Sequence, residues 1–346
     1  MEHYAGLDVS LKLTSVCMVD AQGKVVREAK VPSEPDALVR FFFAQELPIT
    51  RIALEAGPLS QWLHAGLMAT GLETVLLETR HVKAALSAMS VKTDRRDAQG
   101  IAQLLRLGWF RPVHAKSHGA QEVRALLTAR KLIQGKLIGL EAGIRGILRG
   151  FGMKIGAISR GRFEMRVRDL IAGHTLLEAV IGSMLTARDA LQAEYARLHR
   201  TMLGLVRADP VCRQLMSVPG VGAVVAITFK SGVDDPARFR RSRDVGAHFG
   251  LTPKKYQSGE IDVTGSITKV GDRMGRTALY EAANVMLTRT VRFSELKSWA
   301  LGVARRRGTK RARVALARKL AVILHRMWVD GTSFRWTSKA AAAAAG

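Results

Sequence analysis

The chain has 346 residues, of which 47% are apolar, so it can bury a sizeable core and is long enough for two or three domains. Its formal net charge is +25 with only two cysteines, Cys17 and Cys212, which stand far apart without Cys or His companions. That composition argues against a disordered chain, a disulfide scaffold or a zinc site, and points to a polyanionic partner. The absence of a long apolar run and of a secretory leader in MEHYAGLDVS leads us to expect a cytoplasmic protein with no membrane contact.

The charge is unevenly spread. Residues 1–110 hold 12 Lys/Arg against 12 Asp/Glu, whereas residues 208–346 hold 25 against 10. The N-terminal third is thus electrostatically neutral, and the excess lies behind it.

In chain order, Tyr4–Asp8 reads as a buried strand ending in an acid, and Ser15–Val19 as a second strand. A turn over Ala21–Lys24 leads to a third strand, Val25–Val31. Asp36–Phe43 has a helical pattern with Ser33 or Asp36 as caps. Arg51–Glu55 is an apolar run ending in an acid, Pro58–Ala69 a helix and Thr74–Leu77 a short strand. Helical patterns return over Ala84–Met89 and Asp94–Leu107, the latter with Thr93 as N-cap. This order predicts an α/β ribonuclease-H-like domain over residues 1–112.

Residues 113–208 read as a long antiparallel helical hairpin or coiled coil serving dimerisation, with the basic stretch Arg149–Arg168 between its arms. A mainly α domain over 209–337 follows. In it PGVG, with Gly220 and Gly222, sits between apolar helical segments and resembles a helix-hairpin-helix turn whose backbone N–H groups approach a phosphate. A plain Pro-Gly turn is the alternative. Phe239–Phe249 reads as a helix, and GLTPKKYQSGEIDVTGSITKVGDRMG as a long basic loop. Arg276–Leu287 and Lys310–Trp328 read as further helices, and 338–346 as an alanine-rich tail without a packing pattern.

Two constellations carry chemistry. Asp8 and Glu55 end apolar strands, while Asp94 and Asp97 in TDRRDA stand three apart and share one helical face. Four such oxygen donors suit one or two magnesium ions, and two ions about 3.5–4 Å apart can clamp both oxygens of a phosphodiester transfer. Taken singly, each acid reads more simply as a solvated or helix-start charge. In the second constellation Ser258 lies beside Lys254, Lys255 and Tyr256, with Lys269, Arg273 and Arg276 downstream as phosphate contacts. The residues alone do not select Ser258 over Ser266, and His248, the nearest base, reads as a core histidine.

YAGLD, RIALEAG and TDRRDA, followed by SVPGVG, GLTPKKYQSG and TKVGDRMGRTALYEAA, resemble the ordered motifs of the IS-one-ten family of insertion-sequence transposases, relatives of the Piv-type DNA invertases. The resemblance covers nearly the whole chain. It implies a RuvC-like DEDD domain with Asp8, Glu55, Asp94 and Asp97 as magnesium ligands. It implies Ser258 as the nucleophile of a covalent phosphoserine intermediate. It further implies donor and target DNA as substrates, a structured guide (bridge) RNA and a homodimer or tetramer, the carboxylates of one subunit facing the serine of another. The segment AGPLS after Glu55 departs from the Gly-x-Tyr found in many members.

Overall fold

The computed structural model describes residues 2–87 and 91–336, a mixed α/β architecture with a sheet at the N-terminal end and a mostly helical remainder. It divides into two compact units, Met1–Lys116 and Ser117–Gly346. The end of the helix expected to reach Met89, and the alanine-rich tail, lie outside the described residues. No described helix is long and apolar enough to cross a membrane.

The first unit is built on β1 (His3–Val9), β2 (Leu13–Asp20), β3 (Val25–Pro32), β4 (Ile49–Glu55), β5 (Thr74–Leu77) and the two-residue β6 (Pro112–Val113). They form one sheet in the order β3-β2-β1-β4-β5-β6. β1, β2 and β3 pair antiparallel, β1 runs parallel to β4 and β4 to β5, and β6 closes the edge antiparallel to β5.

Helices cover both faces, which is why β1 and β4 read as nearly continuous apolar runs. On one face, Ala5, Leu7, Ile52 and Leu54 pack with Leu38 and Phe42 of α1 (Pro35–Phe43) and Leu63 and Leu67 of α2 (Ser60–Ala69). On the other, Ala53 and Leu77 meet Val82 of α3 (Thr79–Leu86) and Ile101, Leu104 and Leu105 of α4 (Asp94–Arg106). Ser33 does not cap α1. Its buried hydroxyl donates to the Ser10 carbonyl and bonds Thr14, while Glu34 is the cap residue and Pro35, whose ring presets a helical φ, opens the helix.

In the second unit α5 (His118–Gly150) and α7 (Thr175–Ala208) run antiparallel. At one end Leu127 shares a core with Met202 and Val206; at the other Ile144 and Leu148 share one with Ile181 and Leu185. With 33 residues, α5 is about 50 Å long at 1.5 Å per residue. The connection between the arms is itself ordered. α6 (Phe163–Ile171) buries Phe163, Val167 and Ile171, and the buried Arg188 bonds Glu141 at 2.9 Å across the hairpin.

Beyond the hairpin come α8 (Pro210–Leu215), α9 (Ala223–Val233), α10 (Asp244–His248), α11 (Arg273–Thr288), α12 (Glu295–Arg307) and α13 (Thr309–Asp330). They share one core centred on Phe229, Phe249, Leu279, Leu316 and Leu320. Two sequence expectations are corrected here. The helix expected over Phe239–Phe249 exists only as α10, because Phe239 is extended and packs edge-on against His248 and His325. The stretch read as a loop is an antiparallel hairpin, β7 (Pro253–Ser258) and β8 (Ile261–Ile267).

Candidate active site

Leu7 of β1 stands opposite Leu54 of β4 in parallel register. The residues that follow them, Asp8 and Glu55, therefore leave adjacent parallel strands at their carboxyl ends, where α/β sheets commonly bind ligands. Side chains alternate between sheet faces, so both acids point to the face that carries Ala53 and hence α4. Ser60 anchors the turn after Glu55, exchanging hydrogen bonds of 2.7 and 2.9 Å with the backbone of Gly57.

α4 delivers the remaining acids. The Thr93 hydroxyl accepts from the Arg96 N–H at 3.3 Å, which fixes the helix start just before Asp94. Asp94 and Asp97 then occupy its first turn, where the helix dipole favours negative charge. Because Ala98 and Ala102 pack over Gly6, this first turn lies beside Asp8.

Asp8 and Glu55 feel the charges of the acids around them. Burial, then the charges of Asp94 and Asp97, push the Asp8 carboxyl above its ordinary range. Burial, then the charges of Asp8 and Asp97, do the same for Glu55. Lys92 works against both shifts and lies 3.9 Å from Asp97. Sequence reasoning missed Lys92, whose only signal is a cation immediately before TDRRD. Among the described residues no three His, Cys, Asp or Glu side chains are arranged closely enough to hold a metal ion as they stand.

In the second unit, the β7–β8 hairpin is exposed along almost its whole length. Tyr256 pairs with Val263 and Ser258 with Ile261, so these four side chains share one ribbon face. Lys255 and Asp262 lie on the other face and pair at 3.2 Å. Lys254, Tyr256, Ser258, Lys269 and Arg273 are exposed. Arg276 instead turns inward, donating to the Phe249 carbonyl at 3.0 Å. His248 is held by the Gly232 carbonyl and Arg238 between phenylalanine rings, a packed histidine rather than a partner of Ser258.

The hairpin's root is tied down by backbone bonds from Thr268 to Thr252 and from Lys269 to Gly250. Asp272 caps α11 through the N–H groups of Met274 and Gly275 and pairs with Arg124 of α5 at 2.6 Å. Neither Arg124 nor Asp272 carried a sequence signal for this role. Gly220 takes a positive φ of 83° and a Cβ there would stand 2.4 Å from the Ala282 carbonyl oxygen, so helix packing accounts for that glycine, whereas Gly222 faces open space.

A model of a DEDD transposase domain of the IS110 type matches residues 5–153, and a model of the transposase IS116/IS110/IS902 family matches residues 212–298. The chain belongs to the IS110 family of transposases. At 29% identity it is similar to the transposase for insertion sequence element IS1111A of Coxiella burnetii, covering 95% of this chain and 90% of that protein. The same identity relates it to a probable family 20 transposase of Pseudomonas aeruginosa, over 95% of this chain and 98% of that protein. This transposase is therefore a DNA-processing enzyme of an insertion sequence. The match to a DEDD domain points to a dependence on divalent metal. The first matched segment contains all four acids, and the second contains Ser258 with its flanking cations.

Proposed function

We propose that this transposase exchanges DNA strands through a phosphodiester transfer in which Asp8, Glu55, Asp94 and Asp97 serve magnesium and Ser258 is the nucleophile. The observation that carries it is the convergence of strand ends and helix start that sets Asp8 and Glu55 within reach of each other's charge and that of Asp97. The sheet order, three antiparallel strands followed by two parallel ones, supports a ribonuclease-H or RuvC-like reading of this unit.

As a donor set, four carboxylates suit a magnesium ion once their side chains close on it, and a bound cation would lower the raised carboxyls of Asp8 and Glu55. Bound there, the ion would polarise the scissile phosphate and offset the charge that develops on it. The protein's own part is to orient and to attack. Thr93 and Gly6 fix α4 so that its first turn presents Asp94 and Asp97. Ser258 Oγ attacks the phosphorus, its proton passes to a base or solvent, and the 3′- or 5′-oxygen of the broken strand leaves as a hydroxyl. A hydroxyl from another strand then attacks the phosphoserine and releases Ser258. One phosphodiester is exchanged for another, so no nucleotide hydrolysis is required.

Lys254, Lys255, Lys269 and Arg273, with the N–H groups near Gly222, would hold the phosphates, and Tyr256 would stack on or wedge against a base. Arg276 and Gly220 would act indirectly, by supporting the hairpin root and the α9 start. We further read the partners as donor and target DNA with a structured guide RNA from the element, so that base pairing sets specificity. On this reading the working form is a dimer or tetramer held by residues 113–208, with the serine domain over 209–337.

The test is strand cleavage with guide RNA, DNA and magnesium. Asp8→Asn and Ser258→Ala should each abolish it. A water-using junction nuclease, the competing reading, would lose cutting with Asp8→Asn and keep it with Ser258→Ala. A non-catalytic nucleic-acid binder would show salt-dependent binding and no cutting in any form.

A further inference from the structure

α12 ends at Arg307 and α13 begins at Thr309, with Gly308 alone between them. Residues 296–329, which span this corner, hold ten Lys/Arg and no Asp/Glu. Five of these cations are engaged elsewhere or buried in part. Lys297 donates to the Thr290 carbonyl, Lys319 covers the Trp299 ring, Arg326 pairs with Asp330, Arg318 lies against Gly246 and Arg313 is half-buried.

The other five sit together at the corner. Arg305, Arg306, Arg307, Lys310 and Arg311 are all exposed, and among the described residues no carboxylate pairs with them. The three arginines that end α12 complement its dipole, but Lys310 and Arg311 oppose the dipole of α13 in its first turn. That turn contains no acid and no side-chain cap. The arrangement is unfavourable by itself and becomes favourable against an external anion. Ala312, Leu316, Leu320 and Leu324 bury the other side of α13 and anchor it to the core.

We infer that the α12–α13 corner is a second nucleic-acid contact, a clamp for the phosphate backbone of duplex DNA. Residues 305–311 expose no apolar side chain, so they do not form the centre of a protein interface or insert into lipid. They include no aromatic side chain to stack on an unpaired base, so the contact is with backbone. The chain belongs to a transposase family, and transposases act on DNA, whose duplex presents phosphates in closely spaced rows along both strands. The corner lies beyond both matched segments, 5–153 and 212–298. It is independent of the proposed role of Ser258.

The test is binding of the full chain to a fluorescent DNA duplex without magnesium, followed as salt is raised. The five-residue variant Arg305→Gln/Arg306→Gln/Arg307→Gln/Lys310→Gln/Arg311→Gln should bind at least about tenfold more weakly, because each phosphate contact contributes about 0.9 to the slope of log affinity against log salt. That slope should fall by roughly four to five. Each single Gln variant, expected to fold normally, should lower it by about one. A Ser258→Ala chain should match the unaltered one, so failure of the serine assignment would leave this result standing. Unchanged slopes on duplex DNA overturn the inference, and so does a loss confined to a structured RNA hairpin run in parallel.

Discussion

Gly6 of β1 and Ala98 of α4 meet backbone to backbone. A Cβ placed on Gly6 would stand 2.2 Å from the Ala98 carbonyl oxygen and 2.4 Å from the Ala102 nitrogen. No L side chain fits there, so the contact sets how closely α4 lies on the strand that ends in Asp8. Asp97 is the residue before Ala98, and any lift of the helix moves it away from Asp8.

Gly6→Ala should therefore destabilise the first unit by about 3 kcal/mol or more, since backbone rather than a yielding side chain must move. Strand cleavage should fall further than the loss of folded protein explains. Urea denaturation alongside activity per folded molecule checks this. Full activity in a folded Gly6→Ala chain would show that α4 need not lie so close.

The raised carboxyls give the metal-free protein a defined pH dependence. Asp8 and Glu55 bind protons more tightly folded than unfolded, so their contribution to stability is present at low pH and is lost as pH rises through their raised folded values. A divalent ion should restore stability where both are ionised. We expect magnesium to raise the melting temperature at neutral pH and to have a shrinking effect as pH falls through the carboxylate range. Glu55→Gln should raise the metal-free melting temperature and weaken the response to magnesium. A magnesium response of equal size in the wild type and in Glu55→Gln, at every pH, would contradict the shared site.

Arg124 and Asp272 are mostly buried, with side chains 24% and 8% exposed. Removing Arg124 takes the cation from a largely buried carboxylate, which keeps its bonds from the Met274 and Gly275 N–H groups, at a cost of about 2 kcal/mol once the exposure of Arg124 is discounted. Arg124→Ala should show that loss in chemical denaturation. It should also loosen the β7–β8 root, seen as faster amide exchange at Thr268 and Lys269. Protection unchanged at those two amides would separate the ion pair from the hairpin.

The first unit was the more legible in sequence because its signals are local. Thr74–Leu77 is a bare apolar run, and Thr93 followed by Asp94 and Asp97 carries both a cap and an acidic first turn. The β7–β8 hairpin reads as a loop in sequence because both of its faces are exposed. With no buried side, KKYQSGEIDVTGS shows little of the period-two alternation that marks a strand packed on a core. The helix expected from Phe239 was shortened by tertiary packing against His248 and His325, which lie 9 and 86 positions further along the chain. The carboxylates could be singled out from sequence, but the relation between Asp8 and Glu55 rests on strand register, which no local pattern encodes. Arg124 and Asp272 are 148 residues apart, and their pairing is equally invisible before folding.

The most direct test of the central claim is to trap the reaction and map the protein–DNA linkage. Wild-type transposase with DNA, guide RNA and magnesium should yield a protease-sensitive adduct whose phosphate is found by mass spectrometry on the peptide containing Ser258. That adduct should be absent from both Ser258→Ala and Asp8→Asn. An adduct that persists in Ser258→Ala, or efficient strand exchange without any covalent linkage, would contradict the account.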